Sequence, residues 1–263
     1  MDTYTHIIDE AIRVHIPIVN LNIYGEPLLD KFLFERIVYA KARGMFVQFT
    51  SNGTLLTAEH TYNIVKTKVD RIYFSFDGTK TSTYEKIRIG SDFKSTKERL
   101  AHFILVKKAL GLHTPEIGVV MVVQDFNRKE VLDFTKQWRG VADFVDVWPV
   151  DNRRNRKEVL RGLPLPCPKL NELNIQSNGK AVLCCLDYDG EYVIGDTSIQ
   201  SIPAIRSSRS FQFALNSHYA FHGNRIELCA KCEELYRSGP YWVGTLIPGI
   251  LHKAASNLYK RLI

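Results

Sequence analysis

Through the first 150 residues, short β-branched and aromatic runs alternate with longer stretches whose apolar residues recur at helical spacing. The runs are VNLNIYG (Val19 to Gly25), FVQFTSNG (Phe46 to Gly53), RIYFSFDG (Arg71 to Gly78), EIGVVMVVQ (Glu116 to Gln124) and DFVDVWPV (Asp143 to Val150). Helices are expected at about Thr3 to Val14, Leu28 to Arg43, Thr57 to Lys66, in the stretch ending near Leu110, and from Asn127 to Arg139. Thr57, with Glu59 and His60 behind it, and Asn127, with Glu130 three residues on, have the composition of helix starts. Strand and helix in strict alternation imply an α/β fold of mostly parallel strands covered by helices.

In such sheets polar chemistry gathers where strands end, because those loops vary while strand interiors are packed. Gly25-Glu26-Pro27, Thr50-Ser51-Asn52-Gly53 and Ser75-Phe76-Asp77-Gly78 occupy three such ends. Loop formation alone would account for Asn-Gly and Asp-Gly. Glu26 is more telling, because glycine before it and proline after it hold its carboxylate at the rim, a suitable receptor for a ligand ammonium group. Trp148-Pro149, at the last strand end, either borders a substrate or packs.

At GLPLPCPKL, from Gly162, the alternation stops and a different unit begins. LNELNIQSNGKAVLCCLDYDG reads as a β-hairpin, Leu173 to Gln176 and Ala181 to Leu186, around Ser177-Asn178-Gly179. The expected domains are 1–161, 162–240 and an amphipathic helix within 241–263, whose default place is docked on the protein, with peripheral membrane or partner contact open. Phe211, Phe213, Tyr219 and Phe221 are expected to form a small core in the second unit.

All five cysteines lie between Cys167 and Cys232. The first residues carry acids rather than a continuous apolar run, and no later stretch is long and apolar enough to span a bilayer, so a cytoplasmic location is expected. Reduced cytoplasmic thiols and an odd cysteine count favour metal ligands or packed thiols over disulfides. Cys229 and Cys232 form a CxxC pair, which brings two thiolates to one centre, while Cys167 and the Cys184-Cys185 pair flank the hairpin. An iron–sulfur cluster is the favoured reading, with structural zinc and unligated packed thiols as alternatives. Strand alternation sends Cys184 and Cys185 to opposite sides, so one of them is expected to ligate, and Cys184 is the choice.

The net charge of +7 is spread along the chain, with its densest run at Arg153, Arg154, Arg156 and Lys157 read as a solvated connector. No nucleic-acid partner is expected. GxGxxG, GxxxxGK[ST] and GxSxG are absent, which removes conventional dinucleotide, P-loop and serine-hydrolase chemistry.

GEPLL (Gly25 to Leu29), SNG (Ser51 to Gly53), SFDG (Ser75 to Gly78) and YEKIR (Tyr84 to Arg88), in that order, resemble the radical S-adenosylmethionine (radical SAM) enzymes. CPKLNELNIQSNGKAVLCCLDYDG, then VIGD (Val193 to Asp196), SIPAI (Ser201 to Ile205) and CAKC resemble that family's SPASM extension, in its short twitch-like form with one auxiliary [4Fe-4S] cluster. The resemblance covers roughly residues 1–235 and implies an incomplete (β/α) partial barrel, a partial TIM barrel, followed by a cysteine-rich α+β module. It implies S-adenosyl-L-methionine as cofactor, reductively cleaved for hydrogen abstraction from a peptide or small-metabolite substrate. Glu26 would take the methionine ammonium, with Gly25 exposing backbone to it. Asn52 and Ser75 would lie near ribose and carboxylate, Ser51 and Asp77 would belong to the same rim, and Arg88 would supply a cation. Cys167, Cys184, Cys229 and Cys232 would hold the auxiliary cluster. No residue of this chain is assigned a catalytic role.

One departure stands out. The family's CxxxCxxC loop after the first barrel strand has no counterpart, since no cysteine precedes Cys167. A truncated amino end, a degenerate relative that serves as an iron–sulfur or zinc scaffold, and a missing segment supplied by a second chain are the three explanations. Inactivity of this chain alone is expected on any of them. A peptide-binding or electron-donor protein is a further expected partner.

Overall fold

The computed structural model describes residues 1–149, 166–230 and 232. The chain divides into two compact units, Met1–Asp151 and Asn152–Ile263. The expected boundary at Gly162, the basic run from Arg153 to Lys157 and the expected helix of the last residues lie outside the described residues.

In the first unit, α1 (Asp2–Arg13) leads to β1 (Ile18–Asn20), α2 (Leu33–Ala42), β2 (Phe46–Ser51), α3 (Ala58–Thr67) and β3 (Arg71–Ser75). Then come α4 (Thr81–Ile87), α5 (Phe93–Ala109), β4 (Glu116–Val123), α6 (Val131–Trp138) and β5 (Phe144–Pro149). Among the described residues the five strands pair in parallel in chain order, β1-β2-β3-β4-β5. Parallel crossovers share one hand, so an order without reversal places successive helices on one face and curls the sheet as a barrel does. Burial agrees with this geometry. Along β2 and β3 every second residue is buried, with Val47, Phe49, Ile72 and Phe74 at 1% exposure or less, while Gln48, Thr50, Tyr73 and Ser75 on the other face are half-buried. Each such apolar side chain contributes about 1.5–3 kcal/mol by leaving water.

Thr57 caps α3 and forms a reciprocal box with His60, as the sequence suggests. The expected start at Asn127 is different. Asn127 makes no cap for the 3-10 turn Arg128–Glu130 that follows it. Its Nδ2 donates to the carbonyls of Asp77 and Val122 at 3.1 and 2.9 Å, and its Oδ1 accepts from the Gln124 amide. Glu130 is likewise turned inward, accepting from the Thr79 amide and hydroxyl at 2.6 and 2.8 Å and from the Thr83 hydroxyl at 2.5 Å. Both side chains satisfy buried donors and acceptors of other loops, a need that outweighs a local cap. The helix expected from Leu28 also divides, into a 3-10 turn at Pro27–Leu29 and α2.

The second unit runs from a 3-10 turn, Pro168–Asn171, through β6 (Asn174–Ile175), β7 (Lys180–Val182) and β8 (Val193–Asp196) to α7 (Ile202–Arg206), α8 (Arg209–Tyr219) and α9 (Glu227–Ala230). The strands form an antiparallel sheet ordered β6-β7-β8, so VIGD extends the expected hairpin by a third strand. Gly179, at φ +85°, supplies the left-handed turn residue between β6 and β7. Leu170, Ala181, Leu183, Ile194, Ile205, Phe211, Ala214 and Ile226 form its core with Cys229. Of the expected aromatic core only Phe211 is buried; Phe213, Tyr219 and Phe221 are exposed. Helical spacing explains this, since Phe211, Ala214 and His218 share the inward face of α8 and Phe213 lies across the turn. No described helix is long and apolar enough to cross a membrane.

Candidate functional site

In the first unit the sheet's rim brings Glu26, Ser51 and Asn52 together. Gly25, at φ +79°, adopts a left-handed conformation that turns the chain sharply into Glu26. The Glu26 carboxylate accepts from the Leu28 amide at 3.1 Å and the Ser51 hydroxyl at 2.8 Å through Oε1, and from the Asn52 amide at 2.7 Å through Oε2. These bonds tie the loop after β1 to the end of β2. An ionised carboxylate offers about four acceptor positions, so this one has capacity for a further donor while being held in one orientation. Ser51 is buried and also accepts from the Gly53 amide at 3.0 Å. Asn52 directs its Oδ1 to the amide and hydroxyl of Thr54, at 2.9 and 2.7 Å, which shapes its own turn.

Ser75 closes β3 opposite Val120, on the half-buried face with Tyr73. Asp77, two residues on, is buried at 2% exposure and accepts from the Val122 amide at 2.7 Å. Arg88 meets its other oxygen through Nε at 2.8 Å and Nη2 at 2.5 Å. Asp77 and Arg88 thus form one ion pair that ties the start of the loop after β3 to the end of α4. The same face carries Trp148, 44% exposed, whose ring lies 6.0 Å from that of Tyr73. Gly118 in β4 has no side chain where the rings of Phe144 and Tyr73 fill the space.

In the second unit, Cys167, Cys184, Cys229 and Cys232 line one pocket, together with Lys169, Leu170, Leu183, Leu186, His218 and Leu228. The strand argument for choosing between the paired cysteines does not hold in its original form. β7 ends at Val182, and Cys184 and Cys185 stand in the turn beyond it, where the Asp187 amide donates to the Cys184 carbonyl at 3.0 Å. Cys184 faces the pocket and its sulfur accepts the Leu186 amide at 3.4 Å; Cys185 is not among the residues that line it. Asp187, 1% exposed, closes the same loop by accepting the amides of Glu191 and Tyr192, each at 2.8 Å.

The thiols sense one another. Hydrogen bonding with Cys185, burial and the nearby charges of Cys185 and Cys167 push the Cys184 thiol well above its ordinary pKa. Burial, followed by Cys232, Cys167 and Asp187, does the same at Cys229. Both sulfurs are held in surroundings that disfavour a bare thiolate. Among the described residues, no three His, Cys, Asp or Glu side chains converge as ligands of a single metal ion do.

His218 was not singled out by the sequence reading. It is 1% exposed on α8, lines the pocket, and its Nδ1 accepts from the Cys167 amide at 3.3 Å. A lone histidine among aromatic residues, far along the chain from Cys167, carries no spacing signal.

Residues 167–233 match SPASM, described as an iron–sulfur cluster-binding domain. The tungsten-containing aldehyde ferredoxin oxidoreductase cofactor-modifying protein of Pyrococcus furiosus is 27% identical over 153 residues, 57% of this chain and 42% of its own length. The chain spans about half or less of the curated relatives it matches. In fold it is similar to anSMEcpe with bound AdoMet, with a TM-score of 0.62 at 12% identity over 83% of this chain and 74% of that one. Streptococcus suis SuiB bound to the precursor peptide SuiA gives 0.64 at 10% identity, over 89% and 63%. The cysteine module therefore matches the SPASM iron–sulfur cluster-binding domain, and it follows a parallel β/α unit that carries the rim motifs in order.

Proposed function

We propose that Cys167, Cys184, Cys229 and Cys232 hold an auxiliary [4Fe-4S] cluster in a protein of radical SAM type. The observation that carries this reading is the single pocket lined by four thiols from segments widely separated in sequence. The donor set fits. A tetrahedral zinc, with Zn–S bonds of about 2.3 Å, needs its sulfurs within roughly 4 Å of one another, whereas four thiolates around a cubane stand farther apart on the wall of a larger cavity. When bound, the cluster supplies one-electron redox chemistry and the positive charge that stabilises buried thiolates. The Leu186 amide supports the Cys184 sulfur as a hydrogen-bond donor.

At the sheet rim, Glu26 is suited to receive the ammonium of S-adenosyl-L-methionine, because two amides and the Ser51 hydroxyl already orient its carboxylate. Gly25, Asn52 and Ser75 border that position. Asp77 and Arg88 serve the site as a mutually neutralising pair that shapes the loop rather than as an isolated cation. A peptide or small metabolite is the substrate class, and SuiB with its precursor peptide supports the peptide option. The setting is cytoplasmic, with an electron-donor protein as partner. Because no cysteine precedes Cys167, the 263 residues contain no CxxxCxxC thiolates to hold the cluster that delivers an electron to the cofactor.

Anaerobic reconstitution of the chain with iron and sulfide tests the reading. About four iron and four sulfide per chain are expected, lost in C184S and kept in C185S. Stoichiometric zinc with no iron uptake, or a full cluster in C184S, overturns the assignment. The reconstituted chain is expected to form no 5′-deoxyadenosine from S-adenosyl-L-methionine, and turnover would show that its electron path lies elsewhere.

A further inference from the structure

The cysteine pocket contains a residue that the ligand set leaves unexplained. His218 is buried at 1% exposure on the inward face of α8 and lines the cavity with Cys167, Cys184, Cys229 and Cys232. Its Nδ1 accepts from the amide of Cys167 at 3.3 Å. A ring nitrogen that accepts an amide proton carries none itself, so a neutral imidazole in this setting bears its proton on Nε2. The ring therefore has two ends with different roles: an acceptor that positions the backbone of one ligand cysteine, and an N–H donor.

We propose that His218 donates its Nε2–H to a sulfur of the cluster, cysteinyl or inorganic, and thereby raises the reduction potential of the centre. This inference rests on the cluster reading above. Hydrogen bonds to sulfur withdraw electron density and favour the reduced, more negative state, which is one of the protein's main means of setting an iron–sulfur potential. Because His218 is itself 1% exposed, such a donor has little competition from solvent.

Two substitutions separate the ends of the ring. In H218N the amide oxygen reaches the Nδ1 position and keeps an acceptor for Cys167, but the donor is lost. H218Q places an amide N–H near the Nε2 position and keeps the donor. Potentiometric titration of the reconstituted full chain, followed by electron paramagnetic resonance, is expected to show a more negative midpoint in H218N and a midpoint near wild type in H218Q. Equal midpoints in all three proteins overturn the proposal. Should neither variant take up a cluster, pulsed paramagnetic resonance of the reduced wild-type protein with ¹⁵N-histidine decides: a histidine nitrogen coupled to the cluster supports the hydrogen bond, and its absence overturns it. If the wild-type chain itself binds no iron, it is the cluster reading that fails.

Discussion

The two units of this chain are stabilised by different means. In the first, parallel strands present one apolar face to the helices, and large side chains such as Phe49, Phe74, Phe76 and Phe103 are all but fully buried. Its polar rim is an addition to a core that closes without it. In the second, the sheet is short, one of the core residues is itself a cysteine, and Cys167 packs against that core. Small domains commonly have little apolar area to offset the entropy of ordering their loops, and ligation can supply the difference. On the proposed function, cofactor binding and folding would be separable events in the first unit and one event in the second.

The largest effect that would sharpen this contrast is removal of a proposed cluster ligand. C229S is expected to lower iron affinity by more than the roughly 10- to 100-fold typical of losing only a supporting contact. Hydrogen exchange of the full chain should then show lost protection across β6 to α9 with β2 to β4 unchanged. Equal protection in both regions, with or without iron, would break the comparison. A smaller effect is expected from F74A, which leaves a cavity between β3 and α5, where Phe74 meets Phe103 at 5.8 Å. A loss of about 3–5 kcal/mol should appear in the denaturant transition of the first unit, with iron content unchanged.

The smallest effect concerns acid. Hydrogen bonds from Lys180 and from the hydroxyl and amide of Ser198 hold the Asp196 carboxyl below the ordinary carboxylate range. A depressed folded-state pKa stabilises the protein above the unfolded value, near about 3.9, and that contribution disappears as pH falls through the folded value. Asp196 closes β8, so D196N should lower the second unit's stability at neutral pH by that contribution and flatten its acid limb below about pH 4 by the same amount. An unchanged acid limb would exclude Asp196 from the pH response.

Much of the fold was legible because it rests on local periodicity. Four of the apolar runs in the first unit became strands along most of their length, VNLNIYG gave only Val19 and Asn20 to the short β1, and the Thr57 cap formed as its residue types require. What failed depended on distant partners. Asn127 and Glu130 have the composition of a helix start, yet loops brought in from Asp77, Thr79 and Thr83 claim their side chains. The third strand of the small sheet was missed because VIGD is too short to announce itself without β7 beside it.

The candidate sites divide along the same line. By itself the sequence determined which residues could act: an acid between glycine and proline at a strand end, and five cysteines confined to one region. Residue type and spacing carry that information because they set side-chain chemistry and local backbone form. Only the tertiary structure decided that Glu26 is gripped by Ser51 and Asn52, that Arg88 answers Asp77, and that Cys184 lines the pocket with a buried histidine. Those outcomes follow from through-space contacts between segments far apart in the chain, where burial and unsatisfied hydrogen-bonding groups, rather than local propensity, select the partner.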